Sequence, residues 1–193
     1  MPYFIIGGIL IKKSNQLLRI TTTAVMIALT CVLTIIVRIP SPTKGYMNLG
    51  DCSVLICGWL LGPIYGTIAG GLGSAFADFL SGYPIYIPAT LIIKSIMAFI
   101  MSLVPYIFFG KENRYMRLAF GVSAMIAELF MVFGYYLYEA VIIGEGFITA
   151  FSGVFGNVAQ GIAGIVGAYF ILEFLSRTKV VSIYKTVGFK NKK

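Results

Sequence analysis

The sequence predicts an all-α integral membrane protein, a bundle of six transmembrane helices with both termini in the cytoplasm. Of its 193 residues, 59% are hydrophobic and only 11% are charged. Several apolar runs approach the roughly 20 residues that a helix needs to cross a bilayer. These runs are apolar on every face, whereas the strands of a membrane barrel alternate polar and apolar residues. Because lipid offers the backbone no hydrogen-bond partners, such runs are expected to be helices.

The spans follow one another closely along the chain. Hydropathy places them at residues 20–38, 49–62, 63–81, 88–109, 118–143 and 149–175. The second and third meet at Leu61-Gly62-Pro63, where a helix-stopping glycine precedes a proline suited to the first turn of a new helix. We expect a tight helical hairpin there. The organisation is then an N-terminal cytoplasmic or interfacial segment (1–19), a six-helix domain (20–175) and a basic cytoplasmic tail (176–193).

The positions of lysine and arginine indicate the orientation. Segment 111–117 carries three basic residues and one acid, and the chain after Leu175 carries six basic residues and no acid. Basic loops stay on the cytoplasmic side, so six spans also place the N-terminus there. The external loops are then 39–48, 81–87 and 144–148. The net charge of +8 reflects this topology and does not indicate nucleic-acid binding. The tail is either solvated or in contact with anionic membrane lipid.

Several kinds of chemistry are excluded by what the sequence lacks. There is no histidine, the commonest general base and metal ligand. Cys31, Cys52 and Cys57 lie in or beside predicted spans without Cys-x-x-Cys spacing, which favours small packing residues over a metal or redox site. No P-loop motif occurs, so this chain does not hydrolyse ATP through one. We therefore expect no metal, no cofactor and no enzymatic activity.

Polar side chains on four predicted helices would meet near the external surface. Ionisable groups inside a membrane usually mark a functional site, and the cheapest arrangement for them is a common cavity. For some of them, other roles stay open: Lys94 could extend to the interface, Asn157 and Gln160 could join helices, and tyrosines could anchor the membrane interface. Glu128 lies deeper, where it could floor the cavity or pair across the bundle. The candidate substrate-binding residues are Asp78, Tyr83, Tyr86, Lys94, Glu128, Tyr135, Glu139, Asn157 and Gln160.

A second candidate site lies on the first span. Ala24 and Ala28 are one helical turn apart and form a flat strip near the predicted cytoplasmic end. Small side chains at this spacing let another helix approach closely. The strip could serve a partner protein or packing within the bundle.

These features together resemble a known transporter family. The likeness covers about residues 20–175 and rests on the alanine pair of span one and on five further segments: Tyr46 to Asp51, Gly70 to Pro84, Ala89 to Lys94, Ala127 to Tyr136 and Gly156 to Gly161. The chain resembles the substrate-binding S component of energy-coupling factor (ECF) vitamin transporters. Within that family it is most similar to the riboflavin-transporter-like and hydroxymethylpyrimidine or pyridoxine branch.

The resemblance implies a mechanism. Such S components bind a vitamin or its precursor at the extracellular side of the bacterial plasma membrane. They dock through the alanine pair, here Ala24 and Ala28, onto a transmembrane T component, and two cytoplasmic ATPases drive the cycle.

The substrate and the class of protein leave alternatives. The aromatic faces and polar groups suit a flat heteroaromatic ring with hydroxymethyl groups, so pyridoxine or hydroxymethylpyrimidine is the first expectation and riboflavin the alternative. A stand-alone secondary transporter remains a competing class. A membrane enzyme is the least supported, because the histidines are missing.

Overall fold

Five helices long and apolar enough to cross a membrane dominate the computed structural model of the protein, which describes residues 5–6, 9–10, 14–40, 45–108 and 116–176. In chain order they are α1 (Ser14–Ile36), α2 (Gly50–Ser81), α3 (Ile87–Phe108), α4 (Met116–Leu137) and α5 (Phe147–Ser176). The prediction of an all-α membrane protein is confirmed for the described part of the chain.

Short elements connect these helices. A 3₁₀ turn precedes α3 and a π-helical turn continues α4, and two small antiparallel hairpins flank α1. The elements are β1 (Ile5–Ile6), β2 (Ile9–Leu10), β3 (Arg38–Pro40), β4 (Tyr46–Asn48), the 3₁₀ turn Pro84–Tyr86 and the π turn Tyr138–Ile142. The β3–β4 hairpin falls in the predicted external loop 39–48, and residues 41–44 at its tip lie outside the described ranges.

Helix α2 is a helical hairpin. Its backbone breaks at Gly62, which has φ +78° and ψ −172°, and Pro63 begins the second half. A Cβ built on Gly66 would lie 2.5 Å from the carbonyl oxygen of Cys57, and one on Gly70 would lie 3.1 Å from Val54 Cγ1. Residues 9 and 16 positions apart would be roughly 13 and 24 Å apart along a straight helix. The two halves therefore fold back on each other, as the Gly-Pro signal predicts.

This hairpin bears on the predicted number of spans. Its first half, residues 50–61, is roughly 18 Å long at 1.5 Å per residue. The hydrocarbon core of a bilayer is about 30 Å thick, so this half does not cross it alone. Six full crossings, and the cytoplasmic position of both termini, stay predictions. Segment 109–115 and residues 177–193, which carry most of the charge behind that orientation, lie outside the described ranges.

The two ends of the bundle differ. We call the end of the bundle that carries the β3–β4 hairpin the β-hairpin end. At this end α1 and α4 end, α3 and α5 begin, and both ends of the α2 hairpin lie. Gly62 lies at the opposite end, the Gly62 end, where Arg19 lies over the ring of Tyr65 and Arg117 pairs with Glu173.

Large apolar side chains cover the outside of the bundle, whereas several charged groups are buried inside it. Phe79, Ile148 and Phe174 are exposed, while Asp51 and Lys94 are buried. Soluble proteins show the opposite distribution, so this surface is suited to lipid.

Close helix packing inside the bundle depends on glycine. A Cβ on Gly58 would lie 2.3 Å from the carbonyl oxygen of Ala98 on α3, and one on Gly73 would lie 2.6 Å from Thr30 Cβ on α1. Neither position admits a larger side chain without a shift of the helices. Small residues at these crossings are typical of membrane helix interfaces.

The first helix begins earlier than the span 20–38 that hydropathy predicts. Helix α1 begins at Ser14, and its candidate span begins at Gln16. Hydropathy missed this start because Asn15, Gln16 and Arg19 lower the mean of the first turns, although they do not interrupt the helix. At its other end α1 stops at Ile36, because Arg38 pairs with Asn48 in the hairpin.

Candidate functional site

A small cavity lies inside the β-hairpin end of the bundle. Its volume is about 30 Å³, close to the liquid volume of one water molecule and far below the roughly 300 Å³ at which small-molecule pockets begin. Its wall is polar and aromatic and is formed by Thr34, Gly45, Tyr46, Asn48, Ser74, Asp78, Tyr86, Thr90, Lys94, Tyr135, Glu139, Asn157 and Gln160. A ring-sized ligand can enter only if some of these side chains move apart.

An ion pair with an attached amide forms one wall. Lys94 on α3 donates to Asp51 Oδ1 at the start of α2, and both side chains are buried, with exposed fractions of 2% and 0%. Gln160 on α5 donates from Nε2 to the other oxygen of Asp51 at 2.7 Å and accepts from the backbone N–H of Asn48 at 2.8 Å. The network joins four elements, which fixes the ammonium and the amide in position. A lysine has three donors, and the contact with Asp51 uses one of them.

The second half of α2 supplies a carboxylate to the cavity wall. Asp78 accepts a hydrogen bond on Oδ1 from the hydroxyl of Tyr46 on β4, at 2.6 Å. Burial, together with the charge of Asp78, raises the pKa of Tyr46 well above its usual value. Ser74, one turn before Asp78, lines the same wall. The backbone at Asp78 is fixed because its carbonyl accepts from the N–H groups of Gly82 and Tyr83 at the end of the helix.

Aromatic side chains close the cavity towards the β-hairpin end. Tyr86 donates to Glu139 Oε1 at 3.3 Å, and the hydroxyls of Tyr135 and Thr90 are 3.0 Å apart. Lys94 Nζ lies 5.4 Å from the centre of the Tyr135 ring, within the range of a cation–π contact. Glu139 lies in the π turn that continues α4. Such turns recur at functional sites because they redirect a side chain that a regular helix would aim elsewhere.

Glu128 does not lie on the cavity wall. It is buried on α4, and both its carboxylate oxygens lack a hydrogen-bond partner among the described residues. Its oxygens lie against Gly161 and Gly164 of α5, and a Cβ on Gly164 would be 2.9 Å from Oε1 and 2.8 Å from Asp51 Cβ. Glu128 therefore does not floor the cavity; it lies beside Asp51, behind the residues that line it.

The structure brings most of the candidate residues together. Seven of the nine line the cavity, Tyr83 lies beside it with its ring 4.7 Å from that of Tyr46, and Glu128 lies behind it. Their role in substrate binding stays a prediction. Lys94 does not extend to the interface, because it is paired with Asp51. Gln160 joins α5 to α2 by its hydrogen bond to Asp51, which agrees with the alternative role of joining helices, and it also lines the cavity.

Sequence reasoning missed several residues of the wall. Ser74 and Thr90 each lie one helical turn from a candidate, before Asp78 and Lys94, and this spacing could have identified them. Asp51 is not among the candidate residues, although it bonds Lys94, which lies 43 positions away along the chain. Gly45, Tyr46 and Asn48 come from the β3–β4 hairpin, and no local signal aims that hairpin into the bundle.

Within the described residues, no group of three or more histidine, cysteine, aspartate or glutamate side chains could hold a metal ion. The three cysteines are free and buried. The fold and the site together define a multi-pass membrane protein with a buried polar and aromatic cavity at one end of its helix bundle.

Comparison with known proteins identifies the family. The model of the family "ECF-type riboflavin transporter, S component" matches residues 14–177, and the chain belongs to this family. It is a family of transporter S components and not of enzymes, which supports a role in vitamin transport.

Two curated relatives differ in what is known of them. An uncharacterised protein of Pyrococcus woesei is 35% identical over 137 residues, which cover 70% of this chain and 86% of the relative. The thiamine precursor transporter HmpT of Lactococcus lactis subsp. cremoris (strain MG1363) is 25% identical over 177 residues, which cover 91% of this chain and 98% of the relative.

Proposed function

We propose that this protein binds a hydroxymethylpyrimidine- or pyridoxine-type vitamin precursor at the extracellular side and delivers it into the cell as the S component of an ECF importer. The observation that carries the proposal is the cavity, in which groups from α1, the β3–β4 hairpin and α2 to α5 converge. Three tyrosine rings offer stacking faces, and carboxylate, ammonium and amide groups offer hydrogen bonds to a heteroaromatic ring.

Two observations favour a single small ring over the tricyclic riboflavin. The relative whose substrate class is named transports a thiamine precursor. The cavity of about 30 Å³ must also widen for any ligand, and the necessary displacement of packed side chains grows with ligand volume. Riboflavin is the second candidate, because the description of the family model names it.

The proposed partners are a T component, two ATPase subunits and membrane lipid. The family supports such partners in general. Ala24 and Ala28 are exposed on the outer face of α1, together with Val25 and Leu29. This exposure supports a contact outside the bundle over packing within it. We assign docking of the T component to it, with the β-hairpin end of the bundle extracellular. The proposed location is the bacterial plasma membrane.

Binding to the purified protein tests the proposal. Calorimetry in detergent with hydroxymethylpyrimidine, pyridoxine and riboflavin should show the tightest binding for one of the two small rings. Asn157→Ala should weaken that binding by about 5- to 150-fold, the loss of one buried hydrogen bond. Phe174→Ala, on the lipid-facing surface at the Gly62 end, is the control and should leave it unchanged. Binding of riboflavin alone would favour the second candidate, and no binding of any of the three would refute the proposal.

Liposomes separate an S component from a stand-alone transporter. The protein reconstituted alone should bind its ligand without accumulating it, because no ATPase motif is present in its sequence. Accumulation by the protein alone would instead support a secondary transporter.

A further inference from the structure

Glu128 is a buried acid that does not line the cavity. It is 5% exposed, and its two carboxylate oxygens have no hydrogen-bond partner among the described residues. Buried polar atoms without a partner are rare in folded proteins, and an unpaired carboxylate inside a membrane is especially costly. The side chain therefore needs an interaction that an ionised carboxylate does not find at this place in the bundle.

The group that Glu128 meets is the carboxyl of Asp51. The two side chains come close enough for a hydrogen bond, and a Cβ on Gly164 would lie within 3 Å of atoms of both. Two ionised carboxylates only accept hydrogen bonds, so they repel each other and cannot bond. A proton on one of them turns the contact into a hydrogen bond, because a protonated carboxyl also donates.

The contacts of Asp51 indicate which of the two acids holds the proton. Asp51 accepts from the ammonium of Lys94 and from Nε2 of Gln160, and both donors stabilise an ionised carboxylate. The charged groups that act on Glu128 are Asp51 from α2 and Lys94 from α3, and its neighbours on α5 are glycines. With the proton on Glu128, one carboxylate faces one ammonium, and the three ionisable groups are neutral together.

A donor on Glu128 acts on the cavity through Asp51. Asp51 does not line the cavity, but the two residues that it holds, Lys94 and Gln160, do. A carboxylate has about four acceptor sites, so Asp51 can take a third donor beside these two. The third bond limits rotation of the Asp51 carboxylate, whereas a second negative charge there would compete for the ammonium that faces the cavity.

We propose that Glu128 carries a proton in the folded protein, donates it to Asp51 and thereby positions Lys94 and Gln160 for the ligand. Glu128 is then a positioning residue that the ligand does not touch. Its positioning role rests on the proposed function, whereas the presence of the proton does not.

Infrared spectroscopy of the full-length protein tests the proton without a ligand. The C=O stretching band of a protonated carboxyl is separate from the bands of carboxylates, and a glutamate in water is ionised at about pH 7. At that pH the protonated-carboxyl band of the wild type should lose one component in Glu128→Gln and in Glu128→Ala. Glu173→Gln is the matched control, because it makes the same change at a carboxylate that pairs with Arg117. It should leave the band unchanged, and an unchanged band in the Glu128 variants would refute the proposal.

Calorimetry with hydroxymethylpyrimidine and pyridoxine tests the positioning. Glutamine has the shape of a protonated glutamate and also donates, so Glu128→Gln should keep the wild-type affinity within about twofold. Glu128→Ala removes the donor and should weaken binding by about fivefold or more. Ser123→Ala is the control, since it removes a buried hydroxyl of α4 that bonds the carbonyl of Ala119 in its own helix. Equal effects of the glutamine and alanine substitutions at position 128 would refute the positioning role.

The outcomes separate this inference from the proposed function. If wild-type protein binds neither small ring nor riboflavin, the proposed function fails and the positioning role fails with it, while the infrared band still decides whether Glu128 holds a proton. If wild-type protein binds a ligand and the band does not change without Glu128, the inference fails and the proposed function stands. Failure of Glu128→Gln to fold also counts against the inference, because glutamine reproduces the shape and the donor of a protonated glutamate.

Discussion

The buried pair of Lys94 and Asp51 allows a quantitative prediction of stability. Both side chains are almost wholly buried, with exposed fractions of 2% and 0%. Lys94→Met keeps the length of the side chain and removes its charge, so Asp51 loses its cationic partner and keeps the hydrogen bond from Gln160. Breaking a buried ion pair by removing one partner costs about 3 to 5 kcal/mol. At about 2 to 4 °C per kcal/mol for a chain of this size, the melting temperature should fall by about 6 to 20 °C.

The double variant makes the reasoning specific. In Asp51→Asn/Lys94→Met neither member of the pair carries a charge, and the side-chain carbonyl of the introduced asparagine can still accept from Gln160. Replacing a whole buried pair by neutral groups is often neutral or stabilising, so the double variant should melt within about 5 °C of the wild type.

An exposed pair in the same protein serves as the control. Arg117 and Glu173 form an ion pair at 3.3 Å, with exposed side-chain fractions of 76% and 29%. Surface pairs contribute about 0 to 1 kcal/mol, so Arg117→Met should change the melting temperature by about 4 °C or less.

The assay is thermal unfolding of the four proteins in one detergent, followed by intrinsic fluorescence. If Lys94→Met melts no lower than Arg117→Met, Asp51 does not depend on the pair. If the double variant melts no higher than Lys94→Met, the loss comes from packing and not from an unpaired charge.

Three further predictions concern docking, stacking and alkaline stability. Replacing Ala24 and Ala28 with tryptophan should abolish uptake and should prevent recovery of the T component in pull-downs. Ligand affinity should stay unchanged, because both alanines lie on the outside of the bundle. Retained uptake, or loss of ligand binding as well, would contradict this. Tyr135→Phe should change ligand affinity little whereas Tyr135→Ala should weaken it by about fivefold or more, if the ring stacks on the ligand; equal losses in calorimetry would assign the contact to the hydroxyl. The raised pKa of Tyr46 means that the folded protein holds this proton more tightly than the unfolded chain, so stability should decrease as the pH rises above about 10. In Tyr46→Phe the decrease in melting temperature between about pH 9 and 11 should be smaller, and an equal decrease would show that Tyr46 does not contribute.

Much of the fold was predictable because membrane helices depend on composition more than on distant contacts. Apolar runs of sufficient length identify α3, α4 and α5, and Gly62-Pro63 identifies the α2 hairpin. The start of α1 was not predictable from hydropathy, because its first turns are polar. The β3–β4 hairpin was not predicted, because its two strands of three residues each are too short to show an alternation of apolar and polar residues.

Which residues form the candidate site was easier to predict than which of them bond to one another. An ionisable or amide group inside a span is stable only beside a polar partner or a polar cavity, so Asp78, Lys94 and Gln160 are expected near a common cavity. Which of them pair depends on the rotation and tilt of each helix, which sequence periodicity does not give. For the same reason Glu128 could not be placed: whether it faces the cavity or the space behind Asp51 depends on how closely α5 approaches α4.

That approach sets the width of the cavity. Gly161 and Gly164 of α5 do not line the cavity, yet α5 also carries Asn157 and Gln160, which do. A methyl group at position 164 would lie within 3 Å of atoms of Asp51 and Glu128, so α5 would have to move outward and carry both amides with it. The size of ligand that this fold admits is therefore adjustable from a layer of the bundle that no ligand reaches, and relatives could diverge in substrate through changes in residue size there while every wall residue stays the same.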